Sequence, residues 1–224
     1  MELPNLRKGV LLSVIVGLLG LVPVLSAEAG EGLSEPQVVI QDISDQLKSL
    51  LHRDRERLRN DPEYAYRLAN EVLAPHIDFG RVSALVLGKH WQRANAAQRA
   101  EFTEQFKRLL VRTYATAFSE FKDWEIQHFP LQLRDGEEMA QVRIKVLRSG
   151  AQPVEVLYRM HHDDQGWKVF NVKIEGVSLV TNYRTNFNQE IRRGGIDGLI
   201  QTLKSKNEMR VKTAGLSKVA DPFG

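Results

Sequence analysis

The chain has 224 residues, 42% of them hydrophobic, 26% charged and 8% aromatic, the balance of a globular protein with one domain or two small ones. The absence of cysteine excludes disulfides, Cys-ligated zinc or iron–sulfur clusters, thiol nucleophiles and a lipid-modified N-terminal cysteine. A net charge of +3, from 31 basic and 28 acidic residues, is too slight for the dense basic field that nucleic-acid binding needs, so no nucleic-acid partner is expected.

At the N-terminus, Arg7 and Lys8 precede an uncharged run over residues 9–25, which leads into Ser26-Ala27-Glu28-Ala29-Gly30. Basic, then apolar, then small is the order of a secretory signal peptide. A membrane anchor is the alternative, but the run contains Pro23, Gly9, Gly17 and Gly20, falls short of the roughly 20 residues of a span, and ends in an Ala-x-Ala-like site. Residues 1–29 are therefore expected to be removed on export. In a Gram-negative source the mature protein is then periplasmic, without ATP to drive its chemistry.

From Pro36 onward Val39, Ile43, Leu47, Leu50, Leu51 and Leu58 recur at helical steps, and the mixed charges of residues 52–57 read as a solvated helix face rather than a basic patch. Asp61-Pro62 restarts a helix with a cap and a first-turn proline, carrying Tyr64, Leu68, Val72 and Leu73 on one side. Asp78 can cap a third, short helix that ends at Gly88. Asn95, with Gln98 three residues on, opens the longest helix by a variant of the capping box. Its apolar face, from Phe102 through Phe106, Leu109, Leu110, Tyr114 and Phe118 to Phe121, is broader than one helix seam requires.

After Asp123 the period changes from helical to two. Val142, Ile144 and Val146 alternate with polar residues, as do Val154, Val156, Tyr158 and Met160, and then Phe170, Val172 and Ile174. Asp135-Gly136, Ser149-Gly150 and residues 163–166 supply the turns, and residues 124–133 add a strand that Pro130 pushes to an edge or a bulge. Ser178 caps a helix with Leu179, Tyr183, Phe187 and Ile191 on one side, ending in Arg192-Arg193-Gly194-Gly195. A last helix follows to about Lys206. The fold class is α+β: a twisted four-stranded antiparallel sheet between N-terminal and C-terminal helices, with a domain over residues 30–207 and a disordered tail over residues 208–224.

Catalytic constellations are weak. His161-His162-Asp163-Asp164 has metal-ligand residue types, but adjacent histidines on a strand point to opposite faces, and a polar strand end explains them. Residues 176–180 lack the second glycine of a nucleophile elbow, which leaves Ser178 as a helix cap. The informative feature is a surplus of apolar surface: the one-sided sheet, the long aromatic helix and the short third helix all need covering. A solid core and a lined cavity satisfy that need equally, and composition does not separate them.

Residues 85–118, LVLGKHWQRANAAQRAEFTEQFKRLLVRTYATAF, resemble the pattern of the MlaC family of periplasmic phospholipid-binding proteins, also called toluene-tolerance proteins. Residues 166–187, GWKVFNVKIEGVSLVTNYRTNF, and 194–207, GGIDGLIQTLKSKN, are similar to that family's second half, so the resemblance covers about residues 36–207. Phe170-Asn171 departs from the family's usual Tyr-Asp. The resemblance implies a twisted antiparallel sheet cradled by helices around a deep apolar pocket for acyl chains, with the headgroup at its mouth. Carried over by position, the implied lining is Tyr114 and Phe118 from the long helix, Val142, Ile144, Val156, Tyr158 and Val172 from the sheet, and Val177 beside the pocket. It further implies a monomeric, non-enzymatic carrier with phospholipid as cargo and no cofactor. Such a carrier shuttles phospholipid between an outer-membrane lipoprotein–porin complex and an inner-membrane ABC transporter with an MCE-domain subunit, which maintains outer-membrane lipid asymmetry. Two other readings stay open on the residues alone: a periplasmic hydrolase with an unrecognised site, using a carboxylate or His161, and a structural adaptor with a solid core.

Overall fold

The computed structural model describes residues 32–120 and 123–213. The chain divides into two units between Gly32 and Leu33, and every described helix and strand belongs to the second. The expected leader lies outside the described residues, as does Phe121.

Helix α1 (Glu35–Asn60) opens where Gln37 Oε1 accepts from the Ser34 N–H at 3.1 Å, and α2 (Pro62–Leu73) opens on Asp61, whose Oδ1 accepts from Tyr64 N at 2.9 Å. Asp78 Oδ1 accepts from Arg81 N at 2.8 Å and starts α3 (Phe79–Leu87). A helix of five residues, α4 (Lys89–Arg93), follows Gly88 where none was expected. The expected box forms at α5 (Ala96–Glu120): Gln98 N donates to Asn95 Oδ1 at 2.8 Å and Asn95 N to Gln98 Oε1 at 3.1 Å. These caps satisfy helix N–H groups that have no intrahelical acceptor.

The strands β1 (Glu125–His128), β2 (Met139–Leu147), β3 (Val154–Asp163), β4 (Gly166–Ile174) and β5 (Val177–Ser178) form one antiparallel sheet in chain order. The sheet has five strands, not the expected four, because Val177-Ser178 pairs with β4 before helix α6 (Leu179–Thr213) begins. Ser178 still caps α6, its Oγ accepting from Thr181 N at 3.3 Å. Strand β1 ends at His128, before Pro130, and is an edge strand, where a proline is expected in a sheet.

A register shift between Arg159 and Met160 corrects one reading of β4. Alternation puts Phe170 on the face of Val172 and Ile174. The bulge instead turns Phe170 toward His161 and Arg159, with Arg159 5.0 Å from its ring, and into a helical cluster with Val82, Phe102, Phe106, Val180, Phe187 and Leu203. Gly195, at φ 69°, kinks α6, a conformation costly for any residue with a Cβ, and Leu199, Ile200 and Leu203 beyond the kink join that same cluster. The last helix continues to Thr213, so the expected tail is helical as far as that residue.

Helix α5 faces two cores, which accounts for its broad apolar side. Phe102, Phe106 and Leu109 pack with α3 and α6, whereas Val111 belongs to a second cluster with Leu47, Leu51, Ala69 and Val72 of α1 and α2. A third cluster lies on the sheet, where Ile40 of α1 meets Val142, Ile144, Val156, Met160 and Val169. Polar tethers hold α1 across this inner face: Trp167 Nε1 donates to Glu35 Oε2 at 3.2 Å, Gln37 Nε2 to Phe129 O at 3.0 Å, and Trp124 Nε1 to Ser44 Oγ at 2.9 Å.

Candidate functional site

Residues directly opposite one another in an antiparallel ladder share a face, so the register defines the inner surface row by row. One row runs Val142, Tyr158, Val172; the next runs His128, Ile144, Val156, Ile174, Val177. Flanking rows hold Ala140, Met160 and Val169 on one side and Ile126, Val146 and Val154 on the other. No Asp, Glu, Lys or Arg occupies an inner position on any of the five strands. The cations of the sheet, Arg143, Lys145, Arg159, Lys168 and Lys173, all lie at outer positions.

The structure thus brings Val142, Ile144, Val156, Tyr158 and Val172 together as one apolar surface. Val142, Ile144 and Val156 are buried, while Tyr158 and Val172 are half-buried. Val177 shares the row of Ile144 and Val156 but sits at its end on the short strand β5, 59% exposed. Tyr114 lies on α5, half-buried, and the side chain of Phe118 lies outside the described residues. Reading the alternation through would have added Val146 and Ile174. Ile77 and Leu110 were not legible, since each is half-buried and touches more than one cluster.

Two phenols mark how enclosed this region is. Burial pushes the Tyr158 hydroxyl up to about 12, yet part of the side chain stays accessible. Burial, with Tyr183 as a lesser cause, raises the Tyr114 hydroxyl well above the ordinary tyrosine range.

The other motifs are absorbed structurally. His161 and His162 point to opposite faces: His161 Nε2 lies 3.0 Å from Asp78 Oδ2, whereas the His162 ring meets Trp167 edge-on with centroids 5.3 Å apart. Ser178 Oγ donates to Asn171 Oδ1 at 3.1 Å, so asparagine makes the local polar contact at the position where this chain departs from the family pattern. Among the described residues no three His, Cys, Asp or Glu side chains come together to hold a metal, and no helix is long and apolar enough to cross a membrane.

The same architecture recurs in a solved structure, the phospholipid-binding protein from Ralstonia solanacearum in complex with a phospholipid. It superposes with a TM-score of 0.72 at 28% identity, covering 79% of this chain and 98% of that one. In sequence, the chain is 28% identical to the toluene tolerance protein ttg2D of Pseudomonas putida over 193 residues, covering 86% of this chain and 85% of that protein. It is 23% identical to the intermembrane phospholipid transport system binding protein MlaC of Haemophilus influenzae over 174 residues, 76% and 81% of the two lengths. The pattern described as MlaC protein matches residues 41–205, from within α1 to within α6, and the chain belongs to the MlaC family.

Proposed function

We propose that this chain is a phospholipid carrier that holds acyl chains against the inner face of its sheet and moves lipid between the two membranes of a Gram-negative envelope. The observation that carries this reading is the pair of inner rows, Val142–Tyr158–Val172 and Ile144–Val156–Ile174–Val177, which offer no fixed charge and run out at an exposed valine on the sheet edge. The names of the relatives and the phospholipid in the Ralstonia complex support the same cargo. The leader-like residues 1–29 support a periplasmic location. The partners proposed are an outer-membrane lipoprotein–porin complex and an inner-membrane ABC transporter with an MCE-domain subunit.

The energetics suit a carrier. At about 0.8 kcal/mol per buried methylene, two acyl chains of roughly 14 methylenes each gain on the order of 20 kcal/mol relative to water, so spontaneous release is negligible. Transfer from a membrane or a partner's groove is apolar to apolar. Its net cost is small, and docking partners rather than a catalytic residue set its direction.

Native mass spectrometry of the exported protein, purified without detergent, tests the proposal. The expected result is a chain that lacks the leader and carries about one equivalent of intact phospholipid. Consistently lipid-free protein, or phospholipid converted to lysolipid on standing, overturns it.

A further inference from the structure

The ladder between β1 and β2 parts before β2 ends. His162 N donates to Glu138 O at 2.9 Å, so residues of even number on β2 direct their backbone groups to β3, and residues of odd number direct theirs to the β1 side. On that side Lys145 and Leu147 meet Gln127 and Glu125, and Phe129 N donates to Arg143 O at 3.1 Å. Continued, the register sets Leu131 opposite Gln141 and Leu133 opposite Met139. Pro130 interrupts it, and the chain bows away. Leu131 and Leu133 anchor the bowed segment by packing against the inner cluster of the sheet, and residues 134–137 close on themselves, Glu137 N donating to Arg134 O at 3.0 Å. Among the described residues no strand pairs with Met139 or Gln141 on this side.

Between the parted segments lies a groove of about 310 Å³, lined by Leu131, Gln132, Leu133, Met139, Gln141 and Arg159, among others. Met139 is 39% exposed. Arg159 stacks on Phe170 and forms no ion pair with any described residue.

We propose that this groove receives an extended segment of a partner protein, which adds as a strand to the free edge of β2 over Met139 and Gln141. The backbone chemistry selects the occupant. An acyl chain has no amide to pair with the edge, and a helix spends its amides internally, whereas an extended polypeptide supplies alternating donors and acceptors. At about 3.4 Å per residue, the edge from Met139 to Gln141 offers about 7 Å of ladder. Side chains alternate along such a segment. Those toward the inner side meet Leu131 and Leu133, and one toward the outer side meets the guanidinium of Arg159, so apolar residues alternating with an acidic one fit best. The groove lies at the β1 edge of the sheet, opposite the exposed end of the lipid rows at Val177 on β5, and meets the inner rows only at Ala140.

The test pans a phage-displayed library of random linear dodecapeptides against the full exported chain. Enriched peptides should alternate apolar and acidic residues and slow amide exchange at Met139 and Gln141. N-methylation at alternate backbone amides of the peptide should weaken binding by about tenfold or more, a readout that leaves the protein's fold untouched. Arg159→Glu should do so for the acidic peptides, with lipid content unchanged in the variant. The proposal is overturned if no enriched peptide protects these amides, if N-methylated peptides bind as well as the parents, or if the Met139 and Gln141 amides are already protected in the chain alone.

Discussion

Val177→Glu separates a lipid surface from a solid core. Val177 is 59% exposed, and fully burying a valine contributes about 1.5–3 kcal/mol, so the substitution costs the fold about 1 kcal/mol. An acyl chain running off the row of Ile144, Val156 and Ile174 must instead desolvate a carboxylate with no cation on the inner face to pair with it. That penalty is about 3 kcal/mol or more, equivalent to about two orders of magnitude in retention. Val156→Glu is the contrast: at 6% exposure it places the charge inside the protein and should destabilise the fold itself by about 3–5 kcal/mol. The assay is phospholipid per mole of detergent-free protein, alongside thermal unfolding of delipidated wild type and variants, because losing a ligand lowers the midpoint by mass action alone. If Val177→Glu keeps its full lipid complement, the row is not the lipid path. If it unfolds as readily as Val156→Glu once delipidated, the region is a solid core.

Tyr158 has an ordinary pKa of 10.0 when unfolded and about 12 in the fold, so it favours the folded chain fully below pH 10, and stability falls as pH rises through that window. Tyrosinate absorbance should show Tyr158 and Tyr114 un-ionised between those values in native protein and ionised on unfolding; ionisation of every tyrosine in the native state would count against an enclosed site. At the junction of α5 and α6, Asn207 Nδ2 donates to Gln105 O at 3.0 Å and to Gln105 Oε1 at 2.9 Å, both residues buried. Asn207→Leu strands those acceptors and should cost about 2 kcal/mol, read as a lower urea midpoint with an unchanged slope.

What the sequence discloses and what it hides divide along the range of the forces involved. The caps at Asp61, Asp78 and Asn95 are contacts between near neighbours, and each is found where its residue type predicts it. The inner rows are legible for the same reason: on β2 and β3 nothing interrupts the two-residue period. Phe170 is misread because the bulge that turns it is a property of the pairing between β3 and β4, not of either strand alone. Strand β5 is too short to show a period, and α4 carries no side-chain cap to announce it. The exposure of Val177 and the bridging positions of Ile77 and Leu110 depend on where whole helices settle. No local pattern encodes that.

Headgroup selectivity follows from the placement of the cations. Gripping a phosphate strongly takes a guanidinium or ammonium at the mouth of the pocket, best in a two-pronged geometry. On the sheet, Arg143, Lys145, Arg159, Lys168 and Lys173 occupy outer positions, where Arg143 and Lys145 lie over Phe129 at 4.4 and 5.4 Å from its ring centroid, Arg159 lies over Phe170 and Lys168 donates to Pro75 O. The inner positions present aliphatic side chains, the phenol of Tyr158 and two histidines: His162, at the end of β3 against Trp167, and His128, whose Nε2 is engaged with Gln41 Oε1 at 3.0 Å and whose pKa burial lowers, which disfavours its charged form. Affinity therefore rests on the acyl chains, each methylene adding about 0.8 kcal/mol, and the headgroup stays hydrated. Loaded from liposomes of varied composition, the protein should take up phosphatidylethanolamine and phosphatidylglycerol in proportion to their share of the donor membrane, while discriminating between chain lengths. Strong enrichment of one headgroup at every input ratio would mean that a cation outside the sheet reaches the mouth, and would refute an acyl-chain basis for selection.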